Sequence, residues 1–391
     1  MLNTIIDIII LLLSLSVLVC LHELGHLLVA KKFNVYCAEY SIGMGPLLYK
    51  YKKPNQETQF SIRALPIGGF VAMAGEGVED IEEFKDVPKE RYLNNIKRYK
   101  RALIMVAGVT VNFILSLFLF LGSGLSSPIL DETHRNLKVS QSNQDNTYLA
   151  WENGLTEDDN IKSVRYTIEI ENKSTTQISY QINDGRDLYK AVYLFDLTDS
   201  QYYGSEYALP SSLNDTWSWT LTTDTNKVVT FDVKPIEQVI KGAVGPDQVV
   251  YIWDTSKIGI DFYTRNRTFS EGFDRASEEF ITSLTSFKVL FQPGGWQNLG
   301  GVISVFQVSS YATDVGFYFY LYVWGYISLN LAIINLLPFP GLDGWHLVVC
   351  AFEGITRKDM PNKVKEVMSI LGTILLIGLM LFVTVLDFLR L

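Results

Sequence analysis

The sequence predicts a polytopic α-helical membrane protein: four transmembrane helices, a membrane-associated β-hairpin region and a mostly β extracytoplasmic domain. Three observations predict it. Charged residues make up 19% of the 391, below the roughly 25% of soluble chains, and the mean hydropathy is positive at +0.15. Four runs with few or no charges are long enough to cross a hydrocarbon core, which takes about 20 mostly apolar residues. The acidic excess, 42 acidic against 33 basic residues, is concentrated between the second and third of those runs.

Residues 1–31 hold the first spanning helix, uncharged from Ile8 through Leu21. No Lys or Arg precedes Lys31, so the basic flank lies at the C-terminal end of the run. That marks an anchor with its N-terminus outside, whereas a signal peptide begins with basic residues. In residues 32–101, alternating runs such as Gln59 to Leu65, with turn signals at Pro54-Asn55 and Ile67-Gly68-Gly69, predict two or more β-hairpins between Val35 and Ala74. The acidic patch Glu76 to Glu83 and the basic stretch Lys97 to Arg101 read as solvated linker. Residues 102–125, free of charge, form the second helix.

Residues 126–284 are rich in Thr, Ser, Tyr and Val with closely spaced turn residues, the pattern of a mostly β domain with a few short helices. Residues 285–314, with Pro293-Gly294-Gly295 and Gly300-Gly301, predict an interfacial helix and a loop. The third helix covers 315–345, a link covers 346–366, and the fourth helix covers 367–391. Residues 31–101 hold 13 Lys and Arg, and the link carries Arg357, Lys358, Lys363 and Lys365; residues 126–300 hold 15 basic against 25 acidic. Cytoplasmic loops are the basic ones, so both termini and residues 126–300 are expected outside, in a multi-pass protein of the cell membrane.

A net charge of -9 excludes a generally basic nucleic-acid binder. Three scattered cysteines, Cys20, Cys37 and Cys350, exclude a disulfide framework or a Cys-rich zinc site. Of only four histidines, two fall in His22-Glu23-Leu24-Gly25-His26, within the first apolar run. Positions i and i+4 of a helix differ by about 40° in azimuth and about 6 Å in height, so both imidazoles can reach one metal ion. Zinc favours imidazole nitrogen, and Glu23 between them can act on water without being a ligand. Random placement of these residue types yields about 0.002 such matches. Ionisable side chains are also costly in lipid, which points to function.

Catalytic zinc normally takes three protein ligands. Asp343, in Asn335-Leu336-Leu337-Pro338-Phe339-Pro340-Gly341-Leu342-Asp343-Gly344, is the best third candidate, because topology gives it a depth comparable to His22 and His26 and the prolines break the helix there. The active site then lies toward the cytoplasmic side.

With these motifs the sequence resembles the site-2 protease family of intramembrane zinc metalloproteases, in its bacterial RseP-like branch. The resemblance also rests on Pro66 to Val71 with Gly75-Glu76, on Arg101-Ala102 through Ala107-Gly108 and Val111-Asn112-Phe113, and on Asn330 to Gly344. It implies that His22, His26 and Asp343 bind Zn2+, that Glu23 is the catalytic base, and that Asn330 and Asn335 contact the substrate backbone. It implies regulated intramembrane proteolysis of single-pass membrane proteins, such as anti-sigma factors after a first extracytoplasmic cut, or remnant signal peptides. It further implies strands that dip into the bilayer to pair with substrate, and a PDZ domain within residues 126–284. Asn153 to Ile161 matches the PDZ signature loosely, with Asp187 to Val192 and Val228 to Val233 as its helix and closing strand. Val302-Ile303-Ser304 and Trp345 depart from the family pattern.

Two other readings fit the residues. One is a membrane-anchored zincin that cuts soluble or misfolded proteins at the cytosolic face, with a Glu on a later helix as third ligand. The other is a non-catalytic scaffold or receptor acting through the acidic ectodomain.

Overall fold

The structure is a computed structural model that describes residues 2–54, 56–75, 84, 86–141, 147–169, 175–193, 212–240, 248–253, 255–288, 292 and 300–390. It divides into two compact units, Met1–Ser127 with Arg267–Leu391, and Pro128–Asn266. The acidic patch at 76–83 and the Pro293-Gly294-Gly295 turn lie outside the described residues, as does Asn55.

The first unit opens with α1 (Leu2–Lys32), β1 (Cys37–Tyr51), β2 (Gln59–Met73) and α2 (Arg98–Ser126). The hairpin expected across Pro54 pairs 47–51 with 59–63, and the strands extend beyond it. The two long strands fold back on each other, so that Tyr40 lies opposite both Val71 and Phe60, and Phe60 opposite both Tyr40 and Tyr51. The sheet therefore presents four segments side by side, 69–73, 37–42, 59–63 and 47–51. Glycines make the bends: Gly43, Gly45 and Gly68 sit at φ of 84°, 81° and 81°, a region that side chains disfavour.

The second unit contains β3 (Ile129–Leu130), β4 (Lys138–Val139), α3 (Leu149–Glu152), β5 (Ile161–Glu169), β6 (Thr176–Gln181), α4 (Gly185–Tyr193), β7 (Thr216–Thr223), β8 (Val228–Val233), β9 (Pro235–Ile240), β10 (Gln248–Trp253), β11 (Ile260–Asp261) and β12 (Thr264–Arg265). Its main sheet has the order β6-β5-β7-β8, all antiparallel. Burial alternates residue by residue along β7 and β8, which is how one face of a sheet meets a core. Trp217, Trp219, Tyr166 and Phe231 fill that core with Leu155, Ile161 and Leu188.

The first unit resumes with α5 (Phe269–Ser286), α6 (Val302–Val315), α7 (Phe317–Leu336), α8 (Asp343–Thr356) and α9 (Asn362–Arg390). Among the described residues, four helices are long and apolar enough to cross a membrane: Ile5–Lys32, Arg98–Ser126, Phe317–Leu336 and Lys363–Leu389.

Several boundaries differ from the sequence expectation. The β unit ends at Asn266, not 284, because a Thr268–Glu271 capping box starts α5 there. Gly272 of α5 then packs against Leu125 and Gly124 of α2. The expected interfacial helix and loop at 285–314 contain the end of α5 and most of α6. The expected helix 315–345 is two helices, because Pro338 and Pro340 lack the amide needed to continue α7 and Gly341 sits at φ 98°. Most of the expected link 346–366 is α8.

Candidate metal centre

The site begins with the approach of α1 to α2. A Cβ on Gly25 would stand 2.7 Å from the Ala107 carbonyl oxygen, so the two backbones nearly touch. At the next residue of α2, a Cβ on Gly108 would meet Cε1 of His26 at 2.7 Å and Cε1 of His22 at 2.9 Å. Glycines at both places make room for two buried imidazoles between the helices. Leu337 to Leu342 then turns the chain so that Asp343 opens α8, with its carboxylate facing both rings.

The three expected ligands converge. Nε2 of His22 lies 3.0 Å and Nε2 of His26 3.3 Å from Oδ2 of Asp343, and the two Nε2 atoms are 3.1 Å apart. Nδ1 of His26 is 2.8 Å from the Ile104 carbonyl oxygen. A carbonyl only accepts, so Nδ1 carries the proton and donates it, and Nε2 of the neutral ring presents a lone pair. Among the described residues, the buried Oδ2 of Asp343 has no hydrogen-bond partner beyond these two ring nitrogens. Electron-rich atoms thus face one another in a buried space, an arrangement that a cation reconciles. His, His and Asp form a donor set of the kind zinc takes.

A further residue belongs here that the sequence showed only as part of a motif. Asn112 on α2 is fully buried, its amide 3.2 Å from Nδ1 of His22, and its Oδ1 has no donor. Turning the amide over gives Oδ1 the Nδ1–H of His22, which fixes that ring with Nε2 toward Asp343. Ser328 of α7 donates to the Asn112 carbonyl and ties α7 to the same turn. Gly108 and Asn112 share one motif in the sequence. Their spacing alone did not distinguish a metal site from packing, because the role depends on what α1 presents opposite them.

Glu23 is half-buried beside the His pair, with the Val71 main chain of β2 facing its carboxylate. Asn335 reaches the site, with Nδ2 3.5 Å from Nε2 of His22. Asn330 does not: among the described residues no hydrogen bond joins it to His22, His26 or Asp343, and five residues along α7 put it about 140° round from Asn335.

The model of peptidase family M50, the site-2 proteases, matches residues 10–379. The chain belongs to peptidase family M50. This M50 protein is similar to a Clostridium perfringens protein assigned by name as a zinc metalloprotease, 28% identical and covering 96% of each chain. A Clostridium acetobutylicum protein assigned in the same way is 29% identical over 97% of each. The zinc metalloprotease RasP of Shouchella clausii is 25% identical, over 94% of this chain and 95% of its own. The chain is a zinc metalloprotease of site-2 type and a membrane protein.

Proposed function

We propose that the chain is an intramembrane endopeptidase in which His22, His26 and Asp343 hold the zinc and Glu23 is the general base. The convergence of the two Nε2 atoms on Oδ2 of Asp343 carries this reading. Zinc, when bound, acts as a Lewis acid and lowers the pKa of a coordinated water to about 7. Glu23 takes the proton of the attacking water and returns it to the leaving amine. Asn112 and Ile104 hold the imidazoles in their ligating orientation. Asn335 hydrogen-bonds the substrate backbone near the scissile bond, and Asn330 acts farther along the substrate segment.

Depth supports cleavage within the membrane. His22 lies ten residues, about 15 Å, before the end of the span Ile5–Lys32. A peptide bond inside a helix is shielded, so substrate must unwind there. Segment 69–73 ends the β1–β2 sheet on one side, and an extended substrate added to that edge would pass Glu23. The substrates in this reading are single-pass membrane proteins already trimmed outside, or remnant signal peptides. Lys and Arg counts support both termini outside and an active site toward the cytoplasm. The PDZ-like reading of the β unit rests on Asn153 to Ile161, followed by α4 and β8 where a helix and closing strand are expected; its role is to limit access to the site.

The test is Glu23→Gln in the full-length protein. Zinc content equal to wild type with no cleavage of a single-pass substrate supports the reading; cleavage at the wild-type rate contradicts it.

A further inference from the structure

We propose that Arg101, Glu353 and Lys365 form a buried lock that sets the register of α8 against α2 and so delivers Asp343 to the metal. The inference rests on the reading of His22, His26 and Asp343 as ligands. Asp343 follows a segment, 337–342, whose two prolines interrupt the helical ladder, with turn bonds from the Phe339 amide to the Leu337 carbonyl and from the Leu342 amide to the Phe339 carbonyl. The carboxylate is placed by that turn, where Gly344 stands close against the Leu336 and Leu337 carbonyls, and by how α8 seats on its other neighbours.

That seat is polar. Arg101, in the first turn of α2, donates from Nε to Sγ of Cys350 at 3.0 Å and pairs through Nη2 with Glu353. Both partners are buried, Arg101 at 5% exposure and Glu353 at 1%. The second oxygen of Glu353 accepts from Nζ of Lys365 at 2.7 Å and from the Met360 amide at 3.0 Å. One carboxylate therefore joins α2, α8 and the start of α9, with a donor on each oxygen.

The spacing connects this cluster to the metal site. Arg101 and Gly108 are seven residues apart on α2, two turns and about 10.5 Å. Asp343 and Cys350 are also seven apart on α8. Arg101 meets Cys350 at one end of this ladder, while Gly108 and Asp343 both touch His26 at the other. A slip of α8 by one residue would break the Arg101–Glu353 pairing and displace Asp343 by about 1.5 Å along the helix axis, far beyond the tolerance of about 0.2 Å in a ligand distance. Buried ion pairs add little net stability but can fix register, the use suggested by this geometry.

Zinc affinity, measured by chelator competition on the full-length protein in detergent, tests the lock. The variants are Glu353→Gln and the double variant Arg101→Met with Glu353→Met, which removes both charges and leaves neither orphaned inside. The proposal expects about a 10- to 100-fold loss of affinity in each, as for other groups that orient ligands. It also expects an altered visible spectrum for the cobalt-substituted double variant, whose metal-free thermal midpoint stays at the wild-type value. Wild-type affinity in the double variant overturns the proposal, as does a loss matched by a falling metal-free midpoint. Asp343→Ala separates the two levels. If that variant keeps zinc, the ligand reading fails; if it loses zinc while the double variant retains it, only the lock fails.

Discussion

The β unit and the helical unit differ in what brings their elements together. The β unit fills its interior with Trp217, Trp219, Tyr166 and Phe231, whose ring centroids stand between 4.8 and 5.8 Å apart in the contacts they make. The helical unit joins its helices through glycines, Gly25 and Gly108 between α1 and α2, Gly124 and Gly272 between α2 and α5, and Gly372 against Pro340. Burying large apolar side chains drives assembly in water, but between helices in lipid that gain is absent, because the lipid is as apolar as the side chains. Close backbone approach and buried polar links there accompany the side-chain contacts, such as those of Phe120 with Phe280 and Tyr322. The polar groups that would burden a water-soluble core then become available to build a metal site.

If this contrast is right, the largest effect comes from filling a glycine. Gly108→Val puts carbon where the His26 ring stands, and the expected outcome is loss of stoichiometric zinc and of all cleavage, read by metal analysis and a substrate assay. The β unit supplies the matching control. Gly154, with open space around its Cβ position, tolerates Ala apart from the strain at φ 85°, and Gly154→Ala leaves zinc content unchanged.

Next in size is Trp219→Ala. Truncating a Trp in a packed core costs about 3–5 kcal/mol, so limited proteolysis should cut within 128–266 while the variant still binds zinc. Loss of zinc here would show the two units to be a single cooperative one.

Asn112→Ala sharpens the account of the buried polar groups. Its expected effect is a fall in zinc affinity of about 10- to 100-fold with an unchanged thermal midpoint of the β unit. An unchanged affinity would return Asn112 to ordinary helix packing.

The smallest expected effect is a pH dependence confined to the β unit. Burial pushes the Asp159 carboxyl up, but the Lys227 ammonium at 2.6 Å and the amide and hydroxyl of Thr156 hold it below the usual carboxylate range. A depressed folded pKa stabilises above the unfolded value of about 3.9, and that contribution disappears as pH falls through the lower folded value. Asp159→Asn should therefore lower the midpoint of the β unit at pH 7 and leave it nearly unchanged near pH 2, by circular dichroism. Equal destabilisation at both values would assign the effect to shape rather than charge.

How much of this was legible in the sequence follows the same division. His22, Glu23 and His26 are readable because a helix brings i and i+4 together without help from any other element. Asp343 required depth as well, since Leu-Asp-Gly alone is a common helix end. Asn112 and Gly108 were visible as a motif but not as parts of the site, because their meaning comes from the α1–α2 crossing. Alternation between Val35 and Ala74 identified strands, yet it carries no information on partners, so the fold-back of β1 and β2 was hidden. The end of the β unit was misplaced by 18 residues, from 266 to 284, although Thr268 and Glu271 spell a capping box; the apolar and charged residues of α5 are mixed enough to pass for ectodomain. Asn330 was grouped with Asn335 on motif resemblance, and helical periodicity separates them.

In the proposed centre an aspartate opening α8 completes a zinc site begun by two histidines of α1. Zinc content of purified full-length Asp343→Ala, measured beside wild type, tests it most directly. One zinc per wild-type chain and a loss of most of it in the variant are expected. One zinc per chain in both would contradict it, and would place the third ligand elsewhere.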